Sequence, residues 1–316
     1  MGAAARCFFR GGVSYLYFKE YENCNLCPKN CGVNRNSGAK GFCNMTSSPK
    51  IARAALHEWE EPCISGERGS GTVFFSGCSL RCCYCQNFSI SHKGFGEEAD
   101  TDALSSVFIK LQEIGAHNIN LVTAEHFAPH IKEAVLKARK SGLTLPVILN
   151  SSGYVSVETL EMLKDTIDIF LVDFKYMDSS LGEKYSLAKD YPETAKKALR
   201  KMTAIAPKLI FDKGGMLTKG VIVRHLCLPG HTEDSKKVIN YVFKTYGDCV
   251  RLSIMSQYTP MMQNIRFENL KRELSEREYD SVIDFCLDIG IEDAYIQEGG
   301  AASESFIPDF TKNIIL

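Results

Sequence analysis

The amino-acid sequence predicts an α/β fold, with an incomplete (β/α) barrel of the TIM type preceded by a small cysteine-rich module. Short apolar segments of strand length alternate with segments of helical periodicity from residue 72 to residue 287. The strand segments are apolar on both faces, which is typical of a parallel sheet covered by helices. About six such units fit an incomplete barrel better than a doubly wound sheet, although periodicity alone leaves both open. In either fold, ligands bind at the carboxyl ends of the strands.

The first strand–helix unit begins after a polar, glycine-rich connector at residues 65–71. A short apolar strand is predicted at residues 72–75, because four consecutive residues there favour a buried strand. The helix behind it is predicted from apolar residues that recur at helical spacing, namely Leu104, Val107, Phe108, Leu111 and Ile114. Asp100 and Thr101 precede this helix and are residues suited to a helix N-cap.

The remaining units follow the same alternation along the chain. Short apolar runs predict strands at residues 118–123, 146–151, 167–174, 220–228 and 250–255. Helical spacing of apolar residues predicts helices at residues 131–140, 157–163, 195–205, 238–246 and 278–287. Pro129 precedes the first of these helices, where a proline is suited to the first turn.

Composition and charge exclude several classes of protein. Of the 316 residues, 45% are hydrophobic and 24% charged, as expected of a globular protein with a sizeable core. The 37 basic and 38 acidic side chains leave a net charge of −1, without the positive field of a nucleic-acid or membrane binder. Every apolar stretch is interrupted within about 10 residues, well short of the roughly 20 residues of a membrane span. We therefore expect no nucleic-acid partner and no membrane partner.

Cysteine is the unusual component, with 13 residues in a chain too large to need disulfides for stability. Residues 1–10 contain no long apolar stretch of the kind found in secretory signals, so we expect a cytoplasmic protein. In the reducing cytosol, clustered thiols usually bind metals or take part in catalysis. We interpret the cysteine clusters as metal ligands.

The central motif follows the first strand and contains Cys78, Cys82 and Cys85 in the spacing C-x3-C-x2-C. At this cysteine frequency, a given three-cysteine spacing is expected by chance only about 0.02 times in the chain. Thiolates are soft ligands that suit zinc or iron–sulfur clusters. A 4Fe–4S cluster held by three cysteines keeps one iron without a protein ligand, which leaves a position for chemistry on a bound molecule. The alternatives are a zinc knuckle and buried free thiols.

This loop resembles the cluster loop of the radical S-adenosylmethionine (SAM) superfamily, in which an aromatic residue, here Tyr84, precedes the last cysteine. The resemblance implies the incomplete barrel of that superfamily, a 4Fe–4S cluster at the three cysteines, and SAM bound to the fourth iron. It further implies that the reduced cluster cleaves SAM to methionine and a 5′-deoxyadenosyl radical. That radical would abstract a hydrogen atom from the substrate.

Several segments are similar to the pyruvate formate-lyase activating enzymes in particular, namely residues 74–87, 150–154, 171–177 and 223–230. This resemblance implies abstraction of a hydrogen atom from a glycine of a partner protein, a glycyl radical enzyme. It also implies an electron donor such as flavodoxin or ferredoxin. Two alternatives stay open: radical SAM chemistry on a small molecule or another peptide, and a zinc-binding interaction protein on a barrel scaffold.

The same resemblance assigns residues to the SAM site. In those enzymes the second strand ends in Gly-Gly-Glu, and the corresponding residues here are Thr123, Ala124 and Glu125. The carboxylate of Glu125 is therefore still expected to accept a hydrogen bond from the methionyl ammonium. Asp173 and Lys175 alternate toward one side of the fourth strand. Lys175 is expected near the methionyl carboxylate and Asp173 beside a small cation site, whereas a plain buried ion pair is the alternative. The other cofactor-binding candidates are Tyr84, Ser151, Arg224 and Gln257. Ser151 follows Asn150, which occupies the position where the family has a second aspartate.

A second cysteine cluster precedes the barrel and has the spacing C-x2-C-x3-C-x11-C, formed by Cys24, Cys27, Cys31 and Cys43. Four thiolates with short gaps and turn residues between them predict a closed tetrahedral site, which zinc or an iron–sulfur centre would satisfy. Absence of a metal is the alternative, and electron relay, partner docking and folding are the candidate roles. We place the cysteine-rich metal-binding module at residues 1–60 and the radical SAM barrel, with a C-terminal extension, at residues 61–316.

Overall fold

The structure, a computed structural model, describes residues 6–10, 13–260, 266–297 and 310. Within these residues the strands are β1 (Arg6–Arg10), β2 (Val13–Tyr17), β3 (Lys50–His57), β4 (Ser70–Phe75), β5 (Glu97–Glu98), β6 (Ile119–Val122), β7 (Val147–Ser151), β8 (Ile169–Asp173), β9 (Ile210–Phe211), β10 (Leu217–Leu226), β11 (Arg251–Met255) and β12 (Ala294–Ile296). The α-helices are α1 (Pro62–Ser65), α2 (Phe88–Ser91), α3 (Thr101–Glu113), α4 (Ala128–Lys140), α5 (Val157–Leu163), α6 (Ser179–Ser186), α7 (Tyr191–Ile205), α8 (Thr232–Tyr246) and α9 (Glu276–Asp288). None of these helices is long and apolar enough to cross a membrane.

Parallel strands form the centre of one large sheet. β4, β6, β7, β8, β10, β11 and β12 pair in this order, each parallel to its neighbour. β3 extends the sheet antiparallel to β4, and the short strands β5 and β9 pair with β3 and β10. Among the described strands, β5 and β12 stay at opposite edges and do not pair. The fold is therefore the incomplete (β/α) barrel that the sequence predicts.

Alternate residues of the parallel strands divide the apolar interior into two parts. On β8, Phe170 and Val172 lie in the large core cluster that the helices share. Ile169 and Leu171 point the other way and lie in a smaller cluster inside the barrel. Helix α1 adds Ile64 to this smaller cluster and so fills the barrel at the end where the strands begin. The opposite end, where the strands terminate, is left for the site.

All of the predicted strands and helices are present, and their bounds differ by at most six residues, the largest difference being the start of α8. Asp100 caps α3 as predicted, since its Oδ1 accepts hydrogen bonds from the amides of Asp102 and Ala103 at 3.0 and 2.8 Å. Pro129 lies in the first turn of α4. The connector at residues 65–71 is shorter than predicted, because Ser65 ends α1 and Ser70 begins β4.

Among the described residues, the structure adds strands and three short helices, α1, α2 and α6, that local pattern did not indicate. β3 lies between β4 and β5 and pairs antiparallel with β4, with one register shift between Ile51 and Arg53, so the barrel sheet begins before the predicted boundary at residues 60 and 61. That boundary stays a prediction. Helix α6 and the parallel strand β12 are also additional. β12 has only three residues, too few for a period to be recognised.

The cysteine-rich segment lies against the barrel. The Thr159 hydroxyl of α5 donates a hydrogen bond to the Leu26 carbonyl oxygen at 2.6 Å. The Arg81 guanidinium, in the loop after β4, donates to the Phe42 carbonyl oxygen at 2.9 Å. These contacts join the segment to the same end of the barrel at which the parallel strands terminate.

Candidate functional site

A cavity lies at the carboxyl ends of the parallel strands. Successive strands contribute side chains at or just after their ends, because parallel strands bring these ends to one edge. The lining includes the predicted residues Cys78, Cys82, Tyr84, Cys85, Thr123, Ser151, Asp173, Lys175, Arg224 and Gln257. Glu125 is not among the residues that line it. The structure thus brings most of the candidate residues together, while their roles stay predictions.

The cysteine loop leaves β4 through Gly77, whose φ of 83° lies in the left-handed region that favours glycine. A side chain on Gly77 would meet the Cys43 carbonyl oxygen at 2.7 Å, so glycine also lets the loop lie against the N-terminal segment. A polar group contacts each of the three loop thiols. Leu80 N donates to Cys78 Sγ at 3.3 Å, Cys82 Sγ lies 3.0 Å from Ser186 Oγ, and Cys85 Sγ lies 3.2 Å from Ser91 Oγ.

The three loop thiols fit an iron–sulfur cluster. Burial raises the pKa of each thiol, that of Cys85 to about 11, whereas Lys175 opposes the rise at Cys82. A raised pKa favours the protonated thiol, whereas a bound metal favours the thiolate, because metals bind the thiolate form. Within the described ranges, no three His, Cys, Asp or Glu side chains converge on a single-ion site. A 4Fe–4S cluster binds each thiolate through a separate iron, so three gathered thiols that share no single point suit its chemistry.

Asp173, Lys175 and Arg224 form a group of ion pairs in the cavity. Lys175 Nζ donates to Asp173 Oδ2 at 2.8 Å, and Arg224 Nε donates to Asp173 Oδ1 at 2.9 Å. Burial opposes the ionisation of Asp173, but the two cations outweigh burial and lower its pKa to about 2. Both carboxylate oxygens thus face protein cations. The Arg224 guanidinium lies where the family resemblance places a small cation, and it also donates to Asn150 Oδ1 at 2.7 Å.

Glu60 is a cavity residue that the sequence analysis did not select. Its Oε2 accepts a hydrogen bond from Arg224 Nη1 at 2.9 Å, and its side chain is 8% exposed. Its Oε1 accepts from the side-chain amides of Asn120 and Asn150 at 3.0 and 3.2 Å. The loop between β3 and α1 therefore reaches into the barrel and contacts three parallel strands. The local signal was a pair of consecutive carboxylates, Glu60 and Glu61, directly before α1.

Glu125 lies behind the cavity wall. It is fully buried, and its Oε1 accepts a hydrogen bond from the Ser151 hydroxyl at 2.9 Å. Its Oε2 has no hydrogen-bond partner among the described residues. Burial raises the pKa of Glu125 to about 7, although its own backbone amide and Ser151 favour the charged form. A carboxylate with one free buried oxygen is suited to accept a hydrogen bond from a cationic ligand group.

Thr123 has a φ of 57°, in the left-handed region that a β-branched residue rarely adopts. Its amide donates to the Asn150 carbonyl oxygen at 2.9 Å, which holds the end of β6 against β7. The backbone thus keeps the conformation that glycine, in the Gly-Gly-Glu pattern, adopts without strain. The threonine side chain then lies in the cavity wall.

Tyr84 and Gln257 lie on the side of the cavity formed by the cysteine loop and β11. The Tyr84 hydroxyl is hydrogen-bonded to the Tyr176 hydroxyl, and burial raises the pKa of Tyr84 well above its usual value. The Gln257 carbonyl oxygen accepts from Gln86 Nε2 at 3.2 Å, which links the strand end to the cysteine loop. Tyr84 therefore stays a neutral hydroxyl in the wall.

The four N-terminal cysteines lie together, outside the cavity. We call them the four-cysteine site: Cys24, Cys27, Cys31 and Cys43. All are free thiols, and Cys31 is half-buried whereas the other three are buried. As at the cavity, no single-ion geometry is present in the described part of the chain.

Comparison with known proteins places the chain in a family. Residues 72–242, more than half of the chain, match the radical SAM superfamily. An uncharacterized protein of Methanocaldococcus jannaschii is 27% identical over 275 residues, which cover 84% of this chain and 75% of that protein.

Solved structures of low sequence identity also resemble the chain. SuiB of Streptococcus suis, bound to the precursor peptide SuiA, gives a TM-score of 0.49 at 11% identity over 70% of this chain, which spans only 46% of SuiB. A radical SAM methyltransferase from Sphaerobacter thermophilus gives 0.46 at 12% identity, covering 73% of this chain and 69% of that one. A domain of a pyruvate-formate lyase-activating enzyme from Bacteroides vulgatus gives 0.37 at 14% identity, covering 55% and 91%. On the match over residues 72–242, the chain belongs to the radical SAM superfamily.

Proposed function

We propose that the protein cleaves SAM reductively and uses the resulting radical to take a hydrogen atom from a glycine of a partner protein. Membership of the superfamily implies the two cofactors, a 4Fe–4S cluster and SAM. When bound, the cluster supplies the electron that breaks the sulfonium carbon–sulfur bond. The observation that carries the proposal is the cavity itself, in which three thiols of one loop share a wall with Asp173, Lys175 and Arg224.

The residues of the cavity have separate tasks in this proposal. Cys78, Cys82 and Cys85 would hold the cluster and, being three, leave one iron to SAM. Lys175 would bind the methionyl carboxylate. Glu125, positioned by the Ser151 hydroxyl, would accept from the methionyl ammonium, and that pairing would lower the pKa of Glu125 and hold it charged.

The proposal of a protein substrate has two supports. Residues 74–87 resemble the cluster loop of the glycyl radical activases. Trp59 lines the cavity and is 61% exposed, and an exposed aromatic side chain at a cavity is suited to contact a protein segment. Flavodoxin or ferredoxin is the proposed electron donor.

Release of 5′-deoxyadenosine tests the cleavage of SAM. The protein is reconstituted anaerobically with iron and sulfide and then given dithionite and SAM. We expect 5′-deoxyadenosine from the wild type and none from Cys82→Ala, because two thiolates do not hold the cluster. Cys249→Ala is the matched control, since Cys249 is exposed and outside both cysteine clusters. Equal product from Cys82→Ala and the control would refute the role of the loop.

Electron paramagnetic resonance tests the partner. The reconstituted protein is mixed with SAM, a reductant and candidate glycyl radical enzymes, and the expected signal is a glycine-centred radical with a proton doublet. Deuteration of the glycine α position should collapse the doublet and transfer deuterium to 5′-deoxyadenosine. Product formation without a glycine radical on any candidate would remove the support for an activase while leaving SAM cleavage intact.

A further inference from the structure

Gly41 lies beside two of the sulfur atoms of the four-cysteine site. A side chain on Gly41 would lie 3.0 Å from Cys31 Sγ and 3.6 Å from Cys43 Sγ, so glycine at this position leaves the room between two of the sulfur atoms clear. The Cys24 amide donates to the Val33 carbonyl oxygen, which closes the turn that carries three of the cysteines. Local backbone bonds, rather than disulfides, bring the thiols together.

Arg35 is buried beside this site and is only 1% exposed. Its Nη1 lies 3.6 Å from Cys24 Sγ and donates to the His126 carbonyl oxygen at 2.6 Å. Its Nε and Nη2 both donate to the Thr46 carbonyl oxygen, at 3.0 and 2.6 Å. Every polar partner of the guanidinium is therefore a neutral carbonyl oxygen or a cysteine sulfur.

No carboxylate of the described residues balances the charge of Arg35. The rings of Tyr21 and Phe127 cover the guanidinium, with centroids 4.6 and 5.3 Å away. Burial raises the pKa of Tyr21, so that phenol stays neutral. A guanidinium does not lose its charge in a protein, and a buried charge is costly unless an opposite charge lies near it. The nearby groups that can supply one are the thiolates of Cys24 and Cys43.

Thiolates in this number require a cation of their own. Four buried thiolates carry more negative charge than one guanidinium offsets, and their mutual repulsion would drive them to the neutral form. A metal centre with four thiolate ligands removes that conflict and keeps a net negative charge for Arg35 to balance. The buried arginine thus points to an anionic metal–thiolate centre independently of the cysteine spacing.

The four-cysteine site adjoins the cysteine loop of the cavity. The Cys43 carbonyl oxygen lies against Gly77, the residue before Cys78. Arg81, the residue before Cys82, donates to the carbonyl oxygen of Phe42, the residue before Cys43. The segments that carry the two groups of thiols are therefore in direct contact, and a short separation favours electron transfer between two centres.

We propose that the four-cysteine site binds a second 4Fe–4S cluster, whose negative charge Arg35 balances and which relays electrons to the cluster of the cavity. The relay rests on the superfamily's cluster at Cys78, Cys82 and Cys85 and not on the glycine substrate. A reduced flavodoxin or ferredoxin gives one electron to the second cluster and is oxidised. The second cluster then gives that electron to the cavity cluster and returns to its oxidised state, so no bond or proton changes in either transfer. Zinc at the same site is redox-inactive and would not support the relay.

Metal analysis of the full-length protein tests the site. We expect about eight iron and about eight sulfide per chain, and about four of each in Cys27→Ser, because each 4Fe–4S cluster holds four irons. Cys249→Ser is the matched control and should keep the wild-type content. One equivalent of zinc in the protein as isolated, or only about four irons in the reconstituted wild type, would overturn the proposal.

The reductant tests the relay. Dithionite is small and can reduce the cavity cluster directly, whereas a protein donor depends on the second cluster. In Cys27→Ser, 5′-deoxyadenosine formation driven by flavodoxin should be lost relative to formation driven by dithionite. An unchanged ratio would overturn the relay. If Cys27→Ser still forms 5′-deoxyadenosine with dithionite, the cleavage of SAM is intact, and only the relay from the protein donor is in question.

Arg35 has its own spectroscopic test. Arg35→Met removes the charge at similar volume and should make the reduction potential of the second cluster more negative, because the reduced cluster carries more negative charge. Arg35→Lys should restore most of the wild-type potential. A redox titration followed by electron paramagnetic resonance measures both variants. An unchanged potential in Arg35→Met would contradict the charge balance, and if that variant does not fold, the iron content of the wild type still decides the site.

Discussion

Single residues in and behind the cavity wall depart from the conformations and protonation states that their types usually adopt. Thr123 keeps a left-handed backbone at the end of β6, and Glu125 has a fully buried carboxyl group with a raised pKa. Both lie in the short segment that, by the resemblance to the activating enzymes, corresponds to their Gly-Gly-Glu. Strained or desolvated residues persist where the surrounding structure holds them, and they concentrate at functional sites.

Thr123→Gly should stabilise the protein. Removing the backbone strain of a left-handed threonine should raise the free energy of unfolding by about 1–3 kcal/mol. The added flexibility of glycine in the unfolded chain should lower it by up to about 1 kcal/mol. We expect a net gain of about 1 kcal/mol and a melting temperature higher by about 2 °C, measured anaerobically by circular dichroism on the reconstituted protein. Thr72→Gly, in the regular strand β4, is the control and should be destabilising. A lower melting temperature for Thr123→Gly would show that its side-chain contacts outweigh the strain.

Glu125 should make stability fall as the pH rises. Its pKa is about 7 in the folded protein against 4.5 in the unfolded chain, so the folded state holds the proton more tightly. The stabilisation is complete below pH 4.5 and is lost as the pH passes 7, by up to about 3 kcal/mol. Glu125→Gln stays neutral, so its melting temperature should match the wild type near pH 4 and exceed it near pH 8 without SAM. Parallel curves for the two proteins would contradict the raised pKa.

At the scale of elements, the site depends on the segment that joins β3 to α1. The Ser65 hydroxyl accepts from the Glu60 amide at 3.0 Å and donates to the His57 carbonyl oxygen at 3.2 Å, which fixes the turn. That turn carries Glu60 into the barrel, where it contacts Arg224 of β10. One side chain from outside the parallel sheet thus helps set the position of the ion pairs.

Glu60→Gln should weaken both stability and SAM binding. The substitution removes one charged partner of half-buried Arg224, which keeps its ion pair with Asp173 and the nearby charge of Glu61, and we expect it to cost about 2 kcal/mol. Because Arg224 also contacts Asp173, the position of Lys175 should change and the affinity for SAM should fall. Thermal melting and equilibrium dialysis with labelled SAM measure the two effects. Glu58→Gln, at an exposed position in the same segment, should alter neither, and an unaffected Glu60→Gln would contradict the structural role of this ion pair.

At the scale of the whole molecule, the cysteine-rich segment and the barrel behave as one body. Arg35 reaches the turn after β6 through the His126 carbonyl oxygen, and Thr159 of α5 reaches Leu26. Tyr21 is fully buried and hydrogen-bonded to His130 of α4 at 2.9 Å. Such contacts couple the folding of the segment to that of the barrel.

Thr159→Val should lower the stability of the whole protein. The variant is close in shape but removes the hydroxyl that donates to Leu26, at a cost of about 1 kcal/mol. Calorimetry should show a single transition moved to lower temperature, because segment and barrel unfold together. Thr203→Val is the control, since its hydroxyl bonds only within α7. A separate early transition in Thr159→Val would mean that the segment unfolds on its own.

The sequence by itself determined the parts that local patterns encode. Helical and strand periodicity predicted the alternating units, and residue spacing predicted the three-cysteine loop and the four N-terminal cysteines. Alternation along the predicted fourth strand indicated that Asp173 and Lys175 face one side, and both line the cavity at or just after the end of β8. These features depend on residues close together in the chain, whose geometry is set by the repeat of one element.

Only the tertiary structure decided which charges meet. Glu60 and Arg224 are 164 residues apart in sequence and form an ion pair. Arg35 lies beside thiols rather than a carboxylate, and β3 pairs with β4 although its own pattern did not predict a barrel strand. Burial and Coulomb energy depend on the positions of the residues in space, and the periodicity of a single strand or helix carries no information about those positions. The contacts between the charged side chains of this site could therefore be identified only from the folded structure.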